Sequence, residues 1–227
     1  ALSGCKALQE DLAAILNTGT GEGPLDEKTV IAGLKEALQV GTDNTVLSTS
    51  ALDGYLGNEL IRIAMPEQLS SVASTMRQAG FGGQVDELET GMNRAAELAA
   101  GEAREIFWDA ITGMSIADAF GILRGHSTAA TDYFRERTES TLRARFHPVI
   151  ERKMEEVGLS RLYGQISNTY NGLPVPGKTD LIDLDEYVTG RALDGLFKVL
   201  AREEEKIRQD PMARTTALLR RVFGGDR

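Results

Sequence analysis

Residues 82–114 read GGQVDELETGMNRAAELAAGEAREIFWDAITGM, and their apolar positions recur three or four apart. Val85, Leu88, Met92, Ala96, Ala99, Ala103, Ile106, Phe107, Ala110, Ile111 and Met114 form one stripe at the period of an amphipathic α-helix. A helix of roughly thirty residues at ~1.5 Å per residue is about 45 Å long. The alanines in the middle of the stripe let a neighbouring helix approach closely.

The same period continues on both sides. Downstream, Ser115-Ile116-Ala117-Asp118 has the form of a capping box and opens a short helix that stops at Gly125. A second long helix is expected from about Ser127 to Val157, with Ala130, Tyr133, Phe134, Leu142, Phe146, Val149, Ile150 and Val157 on one side. Pro148 is expected to kink it. Gly158 ends that element, and a shorter helix carries Leu162, Ile166 and Tyr170 before the irregular stretch NGLPVPGKTD. Asp183 caps a helix running to about Gln209, with Glu186 in its first turn, and Asp210-Pro211 starts a last one that buries Ala217, Leu218, Val222 and Phe223. Upstream, a helix beginning near Asp26 presents Val30, Ile31, Leu34 and Leu38 on one face. Glycines break the period in ALDGYLGNELIRIAMP, and LIRIAM alternates as an extended segment does. Pro66 suits the first position of a helix that ends at Gly80.

Strand-like alternation is otherwise nearly absent. The expectation is therefore an all-α helical bundle, built on a long antiparallel helical hairpin with shorter helices packed along it. Residues 26–227 read as a single all-α domain. Residues 1–25 read as a short helix, about Lys6 to Leu16, and the Gly-rich tether NTGTGEGP.

A chain of 227 residues can bury a core that needs no disulfide, and its single cysteine cannot make an internal bridge. Its 34 acidic against 25 basic residues give a net charge of −9, which repels phosphate backbones, so nucleic acid is not an expected partner. Every hydrophobic run is broken by charge well short of the ~20 residues that span a bilayer.

The single cysteine, Cys5, follows Leu2-Ser3-Gly4, a triplet that resembles a bacterial lipobox. An aliphatic residue and two small ones suit a peptidase that reads a narrow extended stretch, leaving the thiol open to acylation. The expectation is lipid attachment at Cys5, a periplasmic location and a membrane as partner. The competing reading is a small hydrophobe in a first helical turn. A catalytic thiolate is disfavoured, because His126 and His147 lie far along the chain.

Three stretches read together carry a resemblance: DGYLGNELIRIAMP (53–66), NRAAELAAGEAREIFWDAITGMSIADAFGILRGHSTAATDYF (93–134) and YVTGRALDGLFKVLAREEEKIRQDPMARTTALLRRVFG (187–224). They resemble a family of uncharacterised bacterial proteins, usually exported, known as domain-of-unknown-function family 4197. The resemblance covers nearly everything after about residue 26. It implies a helical domain exported in Gram-negative bacteria, and it supplies no activity and no catalytic residues.

The residues themselves offer several constellations. In LRGHSTAATDYF, Arg124, His126, Ser127, Thr128 and Thr131 gather where one helix ends and the next begins, a place that favours a bound anion or simply a helix cap. Asp180, Asp183, Asp185 and Glu186 in TDLIDLDEY lack the spacing of a calcium loop and read as caps, so no metal and no cofactor are expected. Glu203, Glu204 and Glu205 read as a solvated helix face. Asn93, Arg94 and Glu97 share one side of the long helix, and a buried Arg94–Glu97 pair could fix helix register. The aromatic residues, Trp108 among them, read as core. Arg214, Arg220 and Arg221 beside Leu218 and Phe223 suit an anionic membrane surface, a partner or the helix C-terminus. The leading functional expectation is a non-enzymatic periplasmic protein that binds an apolar or amphipathic ligand, or a partner protein. The alternatives are an assembly module acting through helix–helix oligomerisation, and a hydrolase or transferase centred on Arg124 and His126.

Overall fold

A computed structural model describes residues 27–172 and 182–209, although the side chains of Ile166 and Tyr170 are not among the groups described. Cys5, the glycine tether, Asp180 and the expected last helix lie outside the described residues. The described chain is all-α, as the periodicity requires: α1 (Glu27–Ser50), a 3₁₀ turn (Glu67–Leu69), α2 (Ser70–Gln78), α3 (Gly82–Ala100), α4 (Ala103–Thr112), α5 (Ile116–Arg124), α6 (Ala129–Glu156), α7 (Leu159–Gly172) and α8 (Leu184–Gln209). Among the described residues, no single helix is long and apolar enough to cross a membrane.

Local chemistry sets the helix ends. Ser115 Oγ accepts from the Asp118 N–H at 3.1 Å while Asp118 accepts from the Ser115 N–H at 3.1 Å, closing the capping box ahead of α5. Asp183 accepts from the Glu186 N–H at 3.0 Å and so caps α8 as read from the sequence. Gly80 and Gly158 adopt positive φ, 88° and 75°, where α2 and α6 stop. Two expectations need correction. The stripe over residues 82–114 is not one helix but two, because the chain turns at Gly101-Glu102, where the Glu102 N–H bonds to Ala99 O at 3.0 Å. A glycine there adds no side chain to hold the helix. Pro66 precedes the 3₁₀ turn as its cap instead of opening the next α-helix.

The chain divides into two compact units. In terms of described residues, the first comprises 27–44, 107–137 and 200–209, and the second 45–106, 138–172 and 182–199. The first unit has a core of Leu34, Ile111, Phe120, Ile122, Leu200 and an edge-to-face pair, Phe107 and Phe134, with ring centroids 5.2 Å apart. Trp108 is not part of that core; it is 39% exposed and donates its indole N–H to Asp43 at 3.1 Å.

The second unit buries Tyr55, Ile61, Ile63, Leu88, Met92, Leu142, Phe146, Ile150, Val188, Leu196 and Phe197. In LIRIAM, Leu60 and Ile61 lie in a turn whose Ile61 and Arg62 N–H groups bond to Asn58 O, and no helix forms from Arg62 to Met65; the alternation puts Ile61 and Ile63 inside while Arg62 and Ala64 face outward. Val157, expected on the apolar side of α6, is instead 45% exposed. Glycine permits close approach around Tyr55. A Cβ on Gly195 would stand 2.7 Å from the Tyr55 ring, and one on Gly54 only 2.4 Å and 2.6 Å from the carbonyl oxygens of Ser48 and Thr49.

Gly54→Ala is expected to lower the free energy of unfolding by roughly 3 kcal/mol, because backbone oxygens cannot rotate away from the new methyl. Gly190→Ala, in α8 with nothing within 4 Å of its Cβ, is expected to raise it by about 0.5–1 kcal/mol. Urea denaturation followed by circular dichroism measures both.

Candidate functional site

Asn93, Arg94 and Glu97 occupy successive turns of α3 in the second unit, and the structure gives each a partner. The Asn93 carboxamide pairs with the backbone of Ile63 in both directions, accepting from its N–H and donating to its carbonyl, each at 2.8 Å. Glu97, with a side chain only 5% exposed, accepts from Arg94 Nη1 at 2.7 Å and from the backbone N–H groups of Tyr55 and Leu56 at 3.1 Å each. Arg94 Nη2 donates to Asp53 Oδ1 at 2.7 Å. The expected Arg94–Glu97 pair therefore exists and is the centre of a larger network. Hydrogen bonds from Glu97 and then Asp53 stabilise the charged guanidinium and raise its pKa. Burial, reinforced by Glu97, pushes the Tyr55 phenol up, and its O–H donates to Ala192 O at 2.7 Å. Asp53 takes a positive φ of 64°, a conformation that aspartate tolerates better than most side chains.

One face of α3 carries this network into a cleft. Gly83, Glu87, Thr90, Gly91, Arg94 and Leu98 follow one another at helical spacing along its wall, and Leu52, Lys153, Val157 and Leu159 complete it, enclosing about 760 Å³. That volume is within the ~300–1,000 Å³ of small-molecule sites. Three of the second unit's exposed large apolar side chains, Leu52 (76%), Leu98 (52%) and Val157 (45%), lie on this one cleft. Gly91 keeps the wall low, since a Cβ there would stand 2.2 Å from Leu159.

The expected anion position at the start of α6 belongs to the first unit and has an occupant from the chain itself. Glu204 accepts from the Ala130 N–H at 2.9 Å on one oxygen, and from the Thr131 N–H and Oγ1 at 2.8 and 2.9 Å on the other. Arg208 donates to Glu204 and to Ile122 O, both at 2.8 Å. The dipole at this helix start is thus met by a buried carboxylate. Glu204 is therefore not part of a solvated face. Thr131 is committed to it, whereas Arg124, His126 and Ser127 are exposed. His126 Nδ1 accepts from the Thr128 N–H at 3.4 Å, and Nε2 lies 3.1 Å from Asp132. The neighbouring apolar pocket, lined by Leu34, Leu38, Phe134 and Ile207, holds about 20 Å³, room for about one water.

Sequence reading missed Asp53, Leu52, Leu98 and Val157. The available signal was Leu98, a large apolar residue off the buried stripe and one turn from Arg94. In the acidic stretch, Asp183 caps α8 and Glu186 pairs with Arg143. Burial, then Asp183 and Glu151, raise the pKa of Asp185.

A family model described as a protein of unknown function, DUF4197, matches residues 24–224. No curated protein and no solved structure matches the chain.

Glu97→Ala strands the N–H groups of Tyr55 and Leu56 and leaves Arg94 with Asp53 alone, and is expected to cost about 3 kcal/mol of stability. Glu97→Gln keeps an oxygen for Tyr55 and Leu56 and is expected to cost less than half as much. Equilibrium urea unfolding of the two variants checks the ratio.

Proposed function

The chain belongs to the DUF4197 family, and from its own residues we propose a non-enzymatic binding function: it holds an amphipathic molecule in the α3 cleft while a lipid on Cys5 keeps it at a bacterial membrane, in the periplasm. The observation that carries the binding half is the gathering of Leu52, Leu98 and Val157 on one 760 Å³ cleft beside Arg94, Glu97 and Lys153. Exposed apolar side chains scattered singly need no explanation, but a contiguous set with charged groups at its edge matches the surface of an amphipath. The apolar body of the ligand covers the leucines, and its polar end stays among the charges, where water still reaches. The Asp53–Arg94–Glu97 network supports this reading by holding the Leu52 turn against α3, so that the cleft exists before a ligand arrives.

What supports the anchor is chemical and local: Leu2-Ser3-Gly4 before Cys5 supplies the aliphatic and small residues that acylation of a cysteine requires. An anchored binder at a membrane surface meets amphipathic molecules at high local concentration.

Titration with N-phenyl-1-naphthylamine, a neutral fluorescent probe of apolar sites, is expected to show saturable binding. Leu98→Glu should raise its Kd at least ~10-fold, whereas Leu47→Glu, also at an exposed leucine but outside the cleft, should leave it unchanged. No binding, or equal effects of the two changes, refutes the cleft as the site. For the anchor, mass spectrometry of the protein from its natural host should find Cys5 carrying diacylglycerol, and Cys5→Ser should move it from membrane to soluble fractions.

A further inference from the structure

Resting on the binding reading above, we propose that the ligand is a cationic amphipath, its alkyl body on Leu52, Leu98 and Val157 and its ammonium group at Glu87. The cleft has two cations, and both are already matched. Arg94 gives one Nη to Glu97 and the other to Asp53, each at 2.7 Å, so its single charge faces two carboxylates and the cleft wall is left negative there. Lys153 lies 3.7 Å from Glu156. Of the cleft's two acids in the first turns of α3, Asp86 is met by Arg77 at 2.6 Å. Glu87 is exposed, lines the cleft and, among the described residues, makes no ion pair.

The consequence for selectivity follows from Coulomb's law in a site partly walled by hydrocarbon, where charges act at a lower effective dielectric than in water. An anionic headgroup at Arg94 would stand beside Asp53 and Glu97, whose two negative charges outweigh the one positive charge they share, and Glu97 is held in place by two backbone N–H groups. An ammonium group meets uncompensated negative charge and displaces nothing. The geometry suits a simple chain. Glu87 and Leu98 stand eleven residues apart on α3, about 16 Å along the helix axis, which a dodecyl chain spans when extended.

The test is displacement of N-phenyl-1-naphthylamine from the whole protein by dodecylammonium, dodecanoate and dodecanol, each below the concentration at which it forms micelles. Dodecylammonium is expected to act at about 10-fold lower concentration than dodecanoate. Glu87→Gln should cut that preference to about 3-fold and Glu87→Lys should invert it, the potency of each ion being read as a ratio to that of uncharged dodecanol in the same variant. Equal potency of the cation and the anion, or a preference that survives Glu87→Lys, overturns the assignment of charge. Displacement by dodecanol in the same experiment shows that the binding reading still stands. If none of the three displaces the probe, both proposals fall.

Discussion

The second unit depends on a carboxylate that has been taken out of water. Glu97 is nearly inaccessible, and a buried carboxylate is tolerable only when its oxygens are occupied by donors. Three donors are supplied: a guanidinium from one turn earlier in α3 and two successive backbone N–H groups of the turn that follows α1. Each of these would itself be costly to bury alone, so the set forms together or not at all. Asn93, one turn before Glu97, repeats the device on Ile63. Residues 53–63 lack helical hydrogen bonds over much of their length, and these two side chains of α3 stand in for them. Tyr55 then sits completely buried with its O–H on Ala192.

The first unit solves a comparable problem in another way. The N-terminus of α6 exposes N–H groups that no helical carbonyl can take. Glu204 reaches them from α8, and Arg208, one turn on from Glu204, neutralises it and caps the carbonyl of Ile122 at the end of α5. One ion pair thereby serves the ends of two helices. In both units a charged side chain does what a sheet or a longer loop would do elsewhere: it satisfies backbone groups where regular structure stops. The cleft is the contrasting case. There apolar side chains lie at the surface, and the nearby charges leave a negative balance.

Much of this was legible beforehand, for reasons that are local. Helical spacing is a property of neighbours in the chain, so the stripes around Leu88, Phe134 and Phe197 could be read directly. Caps are equally local: Ser115 with Asp118, Asp183 with Glu186, and Gly158 each act within four residues. The alternation of LIRIAM marked which of its residues are buried, and Asn93, Arg94 and Glu97 stood out as polar residues on an alanine-rich helix. The break at Gly101 was not legible, because a single glycine inside a helix is tolerated or not according to what packs around it. Glu204 was read as solvated, since it lies in a run of three glutamates and nothing within that run says that one of them faces a helix start 73 residues earlier.

By itself the sequence determined that this chain is helical, where most of its helices begin and end, and which residues of α3 would demand polar partners. Those properties arise from hydrogen bonding and hydrophobic spacing within a few turns. Only the tertiary structure decided that Asp53 would be the second partner of Arg94, and that Leu52, Leu98 and Val157 would share one open cleft. Whether an apolar side chain is covered, and which of several carboxylates reaches a given cation, depends on segments tens of residues away. No local pattern encodes that distance.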